Sequence, residues 1–469
     1  MPLILGANTL TAGGYAVDNS CRFDDGSSDY LSRTPGVAGD TKKFTISFWV
    51  KRSALGTDQD IFHVYPGSGE RSQILFRTDD TFQIELEAAN TNKLITTKLF
   101  RDVSAWYHIV VVYDSDNGTA GNRVILYVNG VRETSFSTET YPSSGVTSGI
   151  NTTTQHEISS YNASGYYFDG YLSEFNFIDG QALAPSDFGE FDADTGIWKP
   201  IAYTGTYGTN GFYLEFKDSS ALGDDTSGNG NDFTVNNLTS IDQTTDTPTN
   251  NFATMNPLDN FYAQSTFSEG NLKVVTGTTQ YSSNTGTIGV STGKWYWEVE
   301  FDVDNAGNRV SHIGIKSQQD TDTDEGLGTK STDWGYRGFN GEYYNNATST
   351  AYGNTYVAGD IISVALDLDN NKLYFAKNGV WQNSGDPTSG ATGTGAISIT
   401  DPASTIFGSY FPAFSYQDGS STGTFLTNFG NPPFTISSGN SDANGYGNFE
   451  YEVPSGYYAL CTKNLAEYG

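Results

Sequence analysis

The chain has 469 residues, with 54 Asp and Glu against 24 Lys and Arg, a formal net charge of −30 and an isoelectric point near 4.2. That balance argues against nucleic acid and against anionic membrane surfaces as partners. With 14% aromatic residues, only 17% charged residues and 53 Gly, the composition predicts many short strands and tight turns, enough apolar surface for a sizeable core, and two or three domains.

The first residues, MPLILGANTLTAGGYA, carry no basic leader and no long apolar run, so Sec export is not expected. No stretch approaches the length of a transmembrane helix, and membrane insertion is not expected. Residues 1–20 are Gly- and Ala-rich and read as an attachment arm. Cys21 and Cys461 are the only cysteines, which excludes a disulfide scaffold and favours two buried free thiols.

From Cys21 the pattern turns to strands. Lys43–Lys51 alternates Phe44, Ile46, Phe48 and Val50 against Thr45, Ser47, Trp49 and Lys51. Gln73–Phe76 and Thr81–Glu87 follow, around the Asp79-Asp80 turn. Trp106–Glu133 then reads as a three-stranded meander, near the middle of a sandwich, closed by Asn129-Gly130. Asn-Gly favours a tight hairpin because both residues tolerate positive φ. Phe168–Ile178 is a further strand, and Trp198 and Phe212–Phe216 read as closing strands. Thr239–Pro257 is rich in Thr, Asn and Pro and reads as an extended connection.

A second β unit starts near Asn271. Lys294–Asp304 alternates Trp295, Trp297, Val299, Phe301 and Val303 against Tyr296, Glu298, Glu300, Asp302 and Asp304. His312–Ile315 and Trp334–Asn345 come next. Asp360–Gln382 repeats the meander design, ending in Asn378-Gly379-Val380. Tyr410–Tyr416 and Thr424–Gly430 complete the unit.

Several constellations carry residue types capable of chemistry. Glu298, Glu300, Asp302 and Asp304 share one strand face, but an exposed polar face opposite a Trp-rich core face explains them. Glu300-Phe-Asp302-Val-Asp304 is similar to the E-x-D-x-x-E signature of glucanase jelly rolls and departs at its last Glu, so catalysis is not expected. His63, His108, His156 and His312 have no metal-ligand spacing, and His108 reads as a satisfied core or edge histidine. The Asp-rich turns are a candidate calcium site: Asp114, Asp116 and Asn117 in one turn, Asp79 and Asp80 in another, if the two loops meet. Asx turns account for the same residues without a metal. Aromatics in expected loops, Tyr161, Tyr166 and Tyr167 first and then Trp334, Tyr336, Arg337, Tyr343, Tyr344, Tyr352 and Trp381, form the candidate ligand-binding set, because Tyr and Trp give contact area at low entropy cost.

The series FTISFWVKR, WYHIVVVYD, RVILYVNGVRE and FDGYLSEFNFIDGQALAPSDF resembles the laminin-G-like, concanavalin A-like jelly roll over roughly residues 20–200. The series GKWYWEV, IGI, WGY, GDIISVALD, LYFAKNG and YFPAF resembles the SPRY domain over roughly residues 265–435. Both resemblances imply antiparallel sandwiches. A rim calcium is implied by the first, and partner binding through loops by the second. NNFATMNPL before the second series and PSGYYALCTKNL after it resemble segments of virion structural proteins of aquatic tailed phages.

The resulting expectation is an all-β chain of two tandem antiparallel β-sandwiches. Its parts are an arm over 1–20, a jelly roll over 21–240, a connection over 241–264, a SPRY-like unit over 265–435 and a tail over 436–469. The expected function is a non-enzymatic virion surface protein, a fibre, spike or capsid appendage, that meets other virion proteins and a host surface glycan or protein. Fibre proteins are often trimeric, so a homo-oligomer suits the resemblance. A secreted or surface bacterial carbohydrate-binding protein and a purely structural decoration protein are the alternatives.

Overall fold

The computed structural model describes residues 14–469 apart from 68–69, 87–91, 261–263, 279, 307–310, 321–324 and 419–420. Most of the expected N-terminal arm therefore lies outside the described residues. The chain divides into two compact units, with the boundary between Asn250 and Asn251.

The first unit is a sandwich of two eight-stranded sheets, antiparallel throughout the pairings described. At the centre of one sheet, Lys43–Arg52 lies between Tyr107–Asp114 and Gly170–Asp179. Its Phe44, Ile46, Phe48 and Val50 point into the core, against Phe62, Val64, Ile74, Phe76 and Ile84 of the opposite sheet. Strand periodicity explains this division of faces.

The other face of that strand is buried too. Trp49 packs with Trp106, Tyr171 and Trp198, while Val110, Val112 and Ile178 pack with Phe188, Leu183, Tyr203 and Tyr207. The segment from Leu183 to Tyr207 thus covers the outer face of the sheet. His108 is sealed there, stacked on Trp49. Trp198 Nε1–H donates to its Nδ1 at 3.0 Å, which leaves the ring proton on Nε2, facing Ser47 Oγ at 2.9 Å. Burial pushes the imidazole down to about 3. It is a satisfied core histidine.

The second unit pairs a nine-stranded sheet with a six-stranded one. Lys294–Asp304 crosses the first of these, between Asp360–Asp367 and Gly423–Asn428. Trp295, Trp297, Val299 and Phe301 face the core, with Ile313, Ile315, Tyr336 and Phe414 from the facing sheet. The Asn-Gly turns of both meanders have positive φ, 48° and 76° at Asn129-Gly130 and 47° and 75° at Asn378-Gly379. Each meander runs out to a sheet edge, at Val131–Arg132 and Val380–Trp381, rather than lying mid-sheet.

The expected connection and tail are both structural. Gln243–Thr244 pairs with Ser20–Cys21, and Asp246 is buried with its carboxylate 2.7 Å from Lys51 Nζ and 3.1 Å from Trp106 Nε1. Ala253 and Met255 belong to the core of the second unit. Tyr458–Ala459 adds a parallel pairing to Trp295–Tyr296, Leu460 enters the core, and Thr462–Tyr468 is a short helix. Pro- and Thr-rich composition marks an irregular path, and most of that path from Asp242 to Met255 is buried. Both cysteines are buried free thiols.

The observed boundary makes a stability prediction. Residues 1–250 and 251–469, expressed separately, should each melt cooperatively. Ending the first fragment at 240 removes the carboxylate that neutralises buried Lys51 and should cost about 3–5 kcal/mol, read as a lower denaturant midpoint than that of the fragment ending at 250.

Candidate functional site

The nine-stranded sheet of the second unit sets up the site on its outer face. Glu298, Ser363, Ala376 and Trp381 stand directly opposite one another on four adjacent strands. Residues in such a row share one face, and three strand spacings separate its ends by about 14 Å. Bulk stands at both ends of the row, while Ser363 and Ala376 in the middle are small. The row therefore forms a trough.

One wall is the C-terminal segment. Glu298 is buried and accepts hydrogen bonds from the backbone N–H groups of Glu450 and Tyr451 at 2.9 and 2.8 Å, from Tyr296 OH at 2.9 Å and from Asn428 Nδ2 at 3.2 Å. Burial raises its carboxyl above the ordinary carboxylate range, and these four donors offset part of that rise. Tyr296, Phe449, Tyr457 and Ala459 pack together behind that wall. The Tyr451 ring lies over the Asn378-Gly379 turn, where a Cβ on Gly379 would sit 2.5 Å from Tyr451 Cδ1. Glycine is required there both for this close approach and for its φ of 75°.

The other wall is Trp381, whose ring meets Tyr374 edge-on at 6.4 Å, followed by the turn Gly385–Thr388. Asp386 caps that turn by accepting from Thr388 N at 2.9 Å, and Tyr457 OH donates to Pro387 O at 3.0 Å. Between the walls lies an open groove of about 630 Å³, lined by Tyr296, Trp381, Pro387, Tyr451, Val453 and Pro454 among others. This is the size and character of a ligand site: mostly apolar, with a few polar groups.

Of the seven aromatic and Arg residues of the second unit expected to bind, Trp381 alone lines this groove. Trp334, Tyr336 and Tyr352 are core residues. The segment Asp333–Arg337 is an inner strand rather than a loop, so period-two alternation sends Trp334 and Tyr336 inward, and Tyr336 stacks on Phe375. Tyr343 and Tyr344 are half-buried on the strand Glu342–Asn345, with Tyr343 edge-on to Tyr352. Arg337 lies over the Tyr344 ring at 4.6 Å and donates from Nε to His312 Nε2 at 2.9 Å. In the first unit Tyr161 packs on His63, and Tyr166 is exposed.

The candidate calcium turns do not meet. Asp80 accepts from Arg52 Nη1 at 3.2 Å, Arg101 Nε at 2.8 Å and Gly56 N at 2.9 Å. Asp114 and Asp116 lie 3.5 and 3.6 Å from Lys43 and Lys42. Arg52 and Lys43 end the same ten-residue strand, so the two turns are about 30 Å apart. Asp79 accepts from Thr81 N, and Asn117 from Thr119 N, as Asx turns do. Among the described residues, three carboxylates instead approach within 4.8 Å at Asp24, Asp25 and Asp169, brought together by pairing of Ser20–Phe23 with Gly170–Asp179. The expected exposed carboxylate face is also corrected: Glu298 is buried under the C-terminal segment, and Tyr416 OH donates to Asp304.

Comparison with known families agrees with this architecture. Residues 25–187 match the concanavalin A-like lectin/glucanases superfamily, and residues 294–429 match the SPRY domain. The chain thus carries a concanavalin A-like domain followed by a SPRY domain, and these are binding-type β-sandwich modules. Among solved structures, the SPRY domain of human HERC1 is 17% identical, covering 37% of this chain and 96% of that one, with a TM-score of 0.29. Stonustoxin is 20% identical, covering 38% of this chain and 27% of that one, with a TM-score of 0.27. A further human SPRY domain is 16% identical, covering 33% and 90%, with a TM-score of 0.25. The C-terminal wall of the groove, Tyr451–Ser455, lies outside the matched SPRY segment.

The dependence of that wall on one carboxylate is testable. Replacing Glu298 by Ala leaves two part-buried N–H groups and the buried Tyr296 hydroxyl without their acceptor, and should destabilise the second unit by about 3 kcal/mol, lowering its melting temperature by roughly 10 °C. A melt within about 1 °C of the parent protein's would contradict the assignment.

Proposed function

We propose that the protein is a non-enzymatic attachment protein on the surface of a tailed-phage virion, and that the Trp381 groove is where its SPRY domain engages a partner. The observation that carries this reading is the groove itself: a partly exposed Trp facing a wall of Tyr, Val and Pro across small floor residues. Rigid sandwiches bearing an aromatic groove are suited to recognition. The most prominent carboxylate of the acidic strand, Glu298, is committed to holding the C-terminal segment, which supports binding rather than hydrolysis. The NNFATMNPL and PSGYYALCTKNL segments support the virion setting, since they resemble stretches of phage structural proteins. The charge of −30 fits attachment by short-range contacts rather than by attraction to an anionic envelope. Several copies per particle would multiply a modest single-site affinity.

Two measurements test this together. Mass spectrometry of purified particles should find the chain as a stoichiometric virion component. Purified protein carrying Trp381→Ala should adsorb to host cells at least tenfold less than the parent protein while still melting cooperatively, a few degrees lower at most. Equal adsorption by the two proteins would remove the groove from the attachment role.

A further inference from the structure

The chemistry of the groove narrows its ligand, on the premise that the groove is a partner site. We propose that it takes the cationic side chain of an Arg or Lys on an extended segment of a partner protein. Apart from tyrosines, the only ionisable side chains lining it are the carboxylates of Asp386 and Glu452. No Lys, Arg or His lines it among the described residues. The cations just beyond are already engaged: Lys294 with Asp367 at 3.1 Å, Lys377 with Asp360 at 2.9 Å, and Lys372 with Ser398 Oγ at 3.0 Å.

Two tyrosine hydroxyls at the groove are kept protonated. The Tyr451 hydroxyl is pushed up by burial and by the charges of Glu450, Glu298 and Asp360. The Tyr457 hydroxyl is pushed up by burial and by Asp367, Tyr374 and Asp386, among others. Of these groups Asp386 lines the groove, and it is the charge that a cation arriving from outside would meet.

Trp381 supplies the other half of the recognition. A guanidinium or ammonium over an indole face is attracted by the ring quadrupole, more strongly than over Tyr or Phe. Trp381 also lies on the two-residue edge strand Val380–Trp381, where Val380 is exposed, so an extended chain can approach the ring from that side. Pro387 and Pro454 supply rigid apolar surface beside it for the residues flanking the cation. A neutral saccharide could stack on the same ring, but it would leave the charge of Asp386 and Glu452 unanswered.

The test uses the full chain and two blocked tripeptides, acetyl-Pro-Arg-Pro-amide and its citrulline analogue, which keeps the shape and removes the charge. By calorimetry the arginine peptide should bind at least tenfold more tightly than the citrulline peptide, and less tightly as salt is raised. Asp386→Asn with Glu452→Gln should weaken it at least fivefold; Asn at 386 still caps Thr388, so the turn is kept. Trp381→Ala should abolish it. Equal binding of the two peptides, or an unchanged affinity in the double variant, overturns the cation assignment. So does binding of maltohexaose that Trp381→Ala abolishes while the arginine peptide does not bind. Those results leave the attachment reading standing, because that reading fails separately, when Trp381→Ala adsorbs to host cells as the parent protein does.

Discussion

A single buried carboxylate organises the second unit. Glu298 sits in the middle of the longest strand of its sheet, on the face turned away from the core, where solvent would ordinarily cover it. Four donors surround it instead, two of them backbone N–H groups of a segment about 150 residues later in the chain. Placing a carboxylate in such surroundings is unfavourable unless its lone pairs are filled. The C-terminal segment fills them, and in return Glu298 fixes where that segment lies. The aromatic layer of Phe252, Tyr296, Tyr374, Phe449 and Tyr457 is the apolar consequence of the same arrangement.

The first unit solves a similar problem by different means. The outer face of Lys43–Arg52 carries Trp49, Ser47 and Lys51, and each is sealed by a later part of the chain. Trp198 closes over His108 and Trp49. Asp246 neutralises Lys51. In both units a polar or charged residue on the outward face of a central strand is matched by partners from a segment far along the sequence. The fold is therefore three layers deep wherever these late segments return.

Much of this architecture was legible from local pattern. The strand at Lys43–Arg52, the strand at Lys294–Asp304 and both Asn-Gly hairpins follow from period-two alternation and from the backbone freedom of Asn and Gly. The inward set Trp295, Trp297, Val299 and Phe301 was readable for the same reason. What escaped the reading is what depends on partners distant in sequence. Glu298 alternates with apolar residues as an exposed residue would, and nothing near it announces the amides of Glu450 and Tyr451. Trp334 and Tyr336 looked like loop aromatics because Gly and Asn surround them, although two inward positions of one strand place them in the core. Asp114 and Asp80 could share an ion only if their loops met, and they lie beside opposite ends of the strand Lys43–Arg52. Trp381 was readable as an aromatic after a turn. Its groove was not, because the floor comes from Ser363 and Ala376 and the far wall from Tyr451–Ser455. A cue existed in the small outward residues of two adjacent strands opposite a Trp, but it acquires meaning only once the register is known.

The C-terminal segment is locked to Glu298 as part of the folded domain. Native-state hydrogen exchange of the Glu450 and Tyr451 amides in the unsubstituted protein tests it most directly. Both amides should exchange only through global unfolding of the second unit, with the same protection as the core strand amides of Val299 and Val364. Exchange at the rate of the exposed turn at Gly445, while the core strands remain protected, would contradict it.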